Sequence, residues 1–189
     1  NAGYWNLERL GEALAPLIAD GMETAKARIE ETLEKYLVAF KDAYFGGFAS
    51  KLGMVSVDEE EQAFVTVTLE LMANQELDFT LFFRHLTRVA AGESPTELTA
   101  LFKEPERADN WLTEWQAIAE PESQLDAMRA ANPILIPRNH RVEEAIQSGY
   151  QGDLAPFHRL VDALANPYTE NSDYADLEAA PKPEERVTE

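Results

Sequence analysis

The chain contains no cysteine. Disulfides and cysteine-based metal sites are therefore excluded within these residues. It has only three histidines, at 85, 140 and 158, and they fall in unrelated segments. No run approaches the ~18 apolar residues a membrane-spanning helix needs. The opening "NAGYWNLERLGEAL" has neither the basic region nor the apolar stretch of a signal peptide. It also lacks an initiator Met, which suggests a piece of a longer chain. Basic residues are scarce, 16 against 35 acidic, for a net charge of -19. A broad basic face for nucleic acid or anionic lipid is thereby excluded, because phosphates would be repelled. Neither nucleic acid nor membrane is an expected partner, and the acidity reads as a device for solubility.

A length of 189 residues with 45% hydrophobic content fits one ordinary domain with at most a small appendage. Helical periodicity dominates. Leu7, Leu10, Leu14, Leu17 and Ile18 recur at steps of three and four. Met22, Ile29, Leu33, Tyr36, Leu37, Phe40, Tyr44, Phe48 and Leu52 continue one stripe along a long second helix. That stripe reads as core, and Gly46-Gly47 would weaken or kink the helix. Asp58 with Glu61 predicts a capping box, although the "FVTVT" that follows is strand-like in composition. Asp78 predicts the cap of "FTLFFRHLTRVAA", ending at Gly92. Ser94-Pro95-Thr96-Glu97 predicts another start, with a short helix to Phe102. Trp111, Leu112, Trp115 and Ile118 share one face of a helix over 107–119. "PESQLDAMRAA" predicts a further short helix. Beyond Gly152-Asp153 comes the last clear helix, with Phe157, Leu160, Val161 and Leu164 inward. The expected fold is all-α, an irregular set of about eight helices. A helical domain over 1–165 would carry a proline-rich acidic tail, 166–189, packed on it or trailing from it.

The segment "NPILIPRNHRVEEAI", residues 132–146, gathers Arg138, His140 and Arg141 in an otherwise acidic chain. It predicts an extended lead into a helix over about 138–148. Asn139 is placed to cap that start. The Arg138 fork suits a carboxylate or the carbonyls at another helix's end, and in so acidic a chain an internal partner is expected. Contact with an anionic ligand is the functional alternative. Two tripeptides imitate kinase motifs, Asp78-Phe79-Thr80 and His140-Arg141-Val142. Thr80 stands where glycine belongs, Val142 cannot act as a base, the order is reversed and no Gly-rich phosphate loop exists. His140 with Glu143 or Glu144 reverses the Glu-x-x-His order of di-iron bundles and occurs once. The preferred reading is that His140 and Glu144 make an ordinary i,i+4 pair, or that each faces another partner. No GxSxG elbow supports a serine hydrolase.

The pattern Met128, Asn132-Pro133, Ile136, Arg138-Asn139, followed by Ala145-Ile146, resembles the C-terminal region of the selenoprotein O (UPF0061) family. Gly152-Asp153, Leu160, Leu164, Pro167-Tyr168, Tyr174 and Pro181 follow in that family's order. Trp5-Asn6-Leu7 and the helix after it, "KLG" at 51–53, Asp78 with Phe83-Arg84, and Trp111/Trp115 also fit. The family-motif residues in this chain are thus Trp5, Asn6, Asn132, Pro133, Arg138, Asn139, Gly152 and Asp153. The resemblance implies a protein-kinase-like parent, a pseudokinase that transfers AMP from ATP to protein hydroxyls with Mg²⁺ or Mn²⁺. It further implies that the catalytic, nucleotide-binding and metal-holding residues precede this region, so that none of them, and no cofactor, belongs to this chain. The Cys or selenocysteine motif ending such proteins would lie beyond residue 189. The implied role is a helical scaffold. Its partners would be the kinase-like N-terminal domain of the same protein and that protein's substrates. The implied location is cytoplasmic for a bacterial protein and mitochondrial for a eukaryotic one. The rival reading is a stand-alone acidic helical interaction module.

Overall fold

In the computed structural model, residues 2–182 and Glu185 are described. Among them the chain forms nine α-helices and one 3-10 helix and no strand, so the fold is all-α. The helices are α1 (Ala2–Ile18), α2 (Met22–Leu52), α3 (Glu59–Gln75), α4 (Phe79–Ala90), α5 (Thr96–Thr99), α6 (Pro105–Ile118), α7 (Leu125–Ala131), α8 (Asn139–Tyr150) and α9 (Ala155–Leu164), followed by the 3-10 helix Ser172–Leu177. The chain divides into two compact units at Gly47, inside α2. Gly46-Gly47 thus marks a boundary between packing units while the helix itself runs on.

The first unit is a helical hairpin of α1 and the first part of α2. Gly3 lies beside the Tyr36 ring and Gly11 beside Ile29, so the helices run antiparallel. Arg28 donates to the Ile18 carbonyl (3.0 Å) and so closes the C-terminus of α1. Only Ala15, Ala25 and Leu33 are buried apolar residues among those described here. The stripe read as core is therefore mostly not core. Leu10, Leu14, Leu17, Met22, Leu37, Phe40 and Tyr44 are all exposed.

The second unit holds the packed interior. Its centre is aromatic: Phe82 meets Trp111 edge-on at 5.1 Å, Phe64 stacks on Trp111 at 5.7 Å, and Trp111 lies parallel to Trp115 at 6.2 Å. Both indole N–H groups find buried acceptors, Trp111 at Thr68 Oγ1 (2.9 Å) and Trp115 at the Leu52 carbonyl (2.7 Å). This explains why "FVTVT" is helical in spite of its composition. Phe64 and Val65 fill the core and Thr68 supplies the acceptor for Trp111, so tertiary packing overrides local propensity. The Asp58–Glu61 capping box forms at both of its bonds. At the other end of α3, buried Gln75 accepts from the Glu104 backbone N–H (3.1 Å) and donates to the Glu104 carboxylate (2.9 Å), bracing the start of α6. The start at Ser94 yields only the four-residue α5, with Pro95 at the cap position.

The extended lead expected over 132–137 is only partly realised: the segment is neither helix nor strand, bends at Asn132 and Ile134, and turns tightly where the Arg138 amide donates to the Ile136 carbonyl (2.8 Å). The amides of Ile134 and Leu135 both donate to the Pro167 carbonyl, at 2.8 and 3.1 Å. Leu135, Leu160, Ala163 and Leu177 form a second small core, with Val142, Leu164 and Tyr174 against it. Of the four α9 residues expected inward, Phe157 and Val161 are instead about half exposed. The 3-10 helix beyond Pro167 is tied down by Arg159, which grips the Asp176 carboxylate at 2.6 and 2.9 Å and the Asp173 carbonyl at 2.7 Å. Pro181 is half-buried, and residues 183, 184 and 186–189 lie outside the described residues.

Gly53, of the "KLG" stretch, is required twice over. Its φ is 70°, and a Cβ there would stand 2.8 Å from the sulfur of fully buried Met128. Gly92 has φ 91° with open space around it. Gly92→Ala should therefore cost about 1–2 kcal/mol, the left-handed penalty alone. Gly53→Ala should cost roughly 1–3 kcal/mol more through overpacking. Urea unfolding of the two variants measures the difference.

Candidate functional site

Three of the residues singled out in the sequence, Asn132, Pro133 and Arg138, lie on the segment that runs alongside α4, and Asn132 and Arg138 bond to that helix and its cap. Arg138 is buried and donates two bonds to Asp78, from Nη1 to Oδ2 at 2.7 Å and from Nη2 to Oδ1 at 3.2 Å. Asp78 is also the N-cap of α4, accepting from the Leu81 amide at 2.9 Å. Burial pushes the Asp78 carboxyl up. The bonds from Arg138 and Leu81 and the Arg138 charge outweigh this and hold it below the ordinary carboxylate value. The "DFT" imitation of a metal-binding loop is thus a helix cap joined to a buried arginine.

Asn132 is equally committed. It closes α7 with its backbone N–H on Met128 (2.9 Å), and its Nδ2 donates to the Lys51 carbonyl (3.0 Å) and Thr87 Oγ1 (2.9 Å). Lys51 answers by donating to the Ala131 carbonyl (2.7 Å) and Asn132 Oδ1 (3.3 Å). Its ammonium lies 5.2 Å from the Phe83 ring centroid and 5.8 Å from that of Phe79. Burial lowers the Lys51 pKa, and carbonyl, amide and π-faces take the place of a carboxylate. Pro133 is half-buried in the lead to α8.

The remaining motif residues do not converge on this point. Asn139 is exposed and occupies the first turn of α8; the N-cap position belongs to Arg138 and no side chain caps it. The expected Asn139 cap is therefore absent: Arg138 holds the cap position, and its guanidinium, which only donates, cannot accept from the first-turn amides. Gly152 turns the chain after α8 with φ 86°, and Asp153 accepts from the Ala155 amide at 2.9 Å at the start of α9. Trp5 and Asn6 are exposed on α1, with the Arg9 guanidinium 5.9 Å from the Trp5 ring. His140 is buried and its Nε2 has no hydrogen-bond partner. Burial first, and the Arg141 charge next, push its pKa down, which favours neutral imidazole. Arg141 rather than His140 pairs with Glu144, at 2.9 Å.

Two features of this region were hidden in the sequence. Arg84, half-buried on α4, pairs with Glu178 and reaches Glu170 at 3.4 Å. Nothing in the spacing announces partners this distant. Lys51 did carry a signal, since no acidic residue stands three or four positions from it on its own helix. Beside this region lies a cleft of ≈ 260 Å³ lined by Arg84, Arg88, Arg129, Asn132, Tyr168 and Glu170. Its cations are already neutralised, Arg88 by Glu93 (2.7 Å) and Arg129 by Asp126 (3.3 Å). Among the described residues no three acidic or histidine side chains converge as a metal site would require.

The arrangement is a structural clasp. Arg138→Ala should destabilise the chain by roughly 3 kcal/mol, the low end of the range for a broken buried pair, because the Asp78 side chain keeps 20% of its exposure. The pH dependence has a definite sign. A carboxyl whose pKa is lowered in the folded state contributes stability above its unfolded pKa, and this is lost as pH falls through the folded value. The gap between parent and Arg138→Ala should thus be full at pH 7 and narrow below about pH 4. Chemical denaturation at a series of pH values checks both statements.

Comparison with known proteins agrees with the motif pattern. The family model described as "Protein adenylyltransferase SelO" matches residues 1–165. A protein of Cereibacter sphaeroides strain KD131, "Protein nucleotidyltransferase YdiU", is 42% identical over 180 residues, covering 95% of this chain and 37% of that protein. Proteins of the same name from Rhizobium etli and Rhodopseudomonas palustris are 38% and 37% identical, covering 98% and 97% of this chain and 38% of each relative. The chain thus spans well under half the length of these curated relatives. On the family match and on identities near 40% across almost its whole length, the chain belongs to the SelO family of protein adenylyltransferases.

Proposed function

We propose that this chain is the helical C-terminal part of a longer, kinase-like pseudokinase that transfers AMP from ATP to Ser, Thr or Tyr hydroxyls of other proteins. In that reaction the hydroxyl oxygen bonds to the α-phosphorus and pyrophosphate leaves. The observation that carries the reading is the family match over residues 1–165. The share of the relatives' length left outside this chain supports placing the catalytic residues elsewhere in the protein. So does the state of the inward cations. Arg84, Arg138 and Lys51 are held by Glu178, Asp78 and the Ala131 carbonyl, so they do not form a donor set fitted to a nucleotide's phosphates. ATP with Mg²⁺ or Mn²⁺ is accordingly assigned to the kinase-like part, and the role of this chain is to brace that part and shape access for protein substrates. No described helix is long and apolar enough to cross a membrane. The compartment proposed is the cytoplasm, on the bacterial sources of the relatives.

The test compares this chain with the intact Cereibacter relative, each given α-labelled ATP, Mn²⁺ and a test protein. The relative should label the test protein, and this chain alone should give no label above a boiled control. Label transferred by this chain alone would overturn the assignment of catalysis elsewhere. No transfer by the intact relative would instead favour an acidic interaction module without catalysis.

A further inference from the structure

The hairpin of α1 and α2 is the least self-sufficient part of the molecule. Two helices bury only two alanines and Leu33 among the described residues of that unit. So small a core leaves a helical pair marginal by itself. Its large apolar side chains instead line an open groove of ≈ 400 Å³, formed by Leu7, Leu10 and Leu14 from α1 and by Ile29 and Tyr36 from α2. Phe40 prolongs the α2 stripe beyond Tyr36, with ring centroids 5.9 Å apart. Leu10 is 52% exposed and Phe40 54%. Soluble monomers rarely leave contiguous apolar surface of this kind open.

The unit carries eight acidic against five basic residues, and part of this charge is paired within the hairpin. Arg9 pairs with Glu8 and Glu12, Lys35 with Glu31, and Lys26 approaches Glu30 at 3.9 Å. The groove lining itself carries one charged side chain, Arg28, already bonded to the Ile18 carbonyl, so the groove offers a partner mainly shape and apolar area. An occupant must be largely apolar where it touches. The curated relatives supply a candidate, since the matched region is only 37–38% of their length.

We infer that the α1–α2 groove is an intramolecular docking surface, covered in the longer protein by apolar side chains of the part that lies outside this chain. The inference rests on the reading of the chain as a piece of a longer adenylyltransferase. It adds to that reading a named surface and a mode of contact. Leu7, Leu10 and Leu14, at helical spacing, are the anchors from α1, and Tyr36 and Phe40 those from α2.

The experiment grafts this chain in place of the matching 180-residue region of the Cereibacter relative. Hydrogen–deuterium exchange is then compared between the isolated chain and the intact chimera. Amides of residues 2–18 and 22–44 should exchange at least tenfold more slowly in the chimera, while those of α4 and α6 change little. Leu10→Asp together with Phe40→Asp should abolish that protection in the chimera and leave the helix content of the isolated chain unchanged. Equal exchange in the two contexts would overturn the inference. So would concentration-dependent dimerisation of the isolated chain with the hairpin protected, since a second copy would then be the occupant. Transfer of AMP by the chimera is recorded separately. Protection without transfer would count against the enzymatic reading only, and transfer without protection against the docking surface only.

Discussion

Helix α4 is gripped at three levels by residues from the last third of the chain. Arg138 holds Asp78 at its cap, Glu178 holds Arg84 at its middle, and Asn132 holds Thr87 in its last turn. The three partners lie 60, 94 and 45 positions away in sequence. All three are side-chain bonds with at least one end partly buried, where leaving a partner unmet costs more than the bond itself gains. The adjoining face of α4 is apolar, and Phe82, Phe83 and Leu86 are fully or almost fully buried. Bonds along one flank and aromatic packing on the adjoining face fix the helix in rotation and along its axis. The non-helical segment 132–138 spans the distance between the Thr87 and Asp78 ends of α4.

This arrangement consumes a scarce resource. With 16 basic residues against 35 acidic, the inward arginines and Lys51 satisfy acids and carbonyls within the chain. Arg84, Arg138 and Arg159 hold carboxylates, Arg141 adds the Asp176 carbonyl, and Lys51 closes α7. A cation bound in this way orders the structure at the expense of availability to a ligand. Of these cations, Lys51, Arg84 and Arg138 also stand in the motif pattern that resembles the family.

The helices were legible because their signals are local. The capping box at Asp58–Glu61, the Asp78 cap and the Trp111/Trp115 face each need only neighbours in sequence, and each formed. That the lead before α8 is not helical was legible from its two prolines. That Arg138 would meet an internal partner followed from charge scarcity, but the choice of Asp78 did not, because cap and fork are 60 positions apart. The same distance problem hid Arg84–Glu178 and the Lys51–Asn132 exchange. Periodicity misled in α1 and α2. A stripe of leucines and aromatics says that a face is apolar; it does not say whether its cover lies in the same unit. Phe157 and Val161 on α9 erred for the same reason. Asn139 failed as a cap because the helix begins at Asn139 itself, which leaves Arg138 in the cap position.

The central claim is that the polar motif residues of this chain are structural, with nucleotide chemistry lying outside it. Isothermal titration of the purified chain with ATP and Mn²⁺ tests this most directly. The account predicts no saturable heat. Stoichiometric binding that is lost in a folded Arg138→Lys or Lys51→Met variant would contradict it.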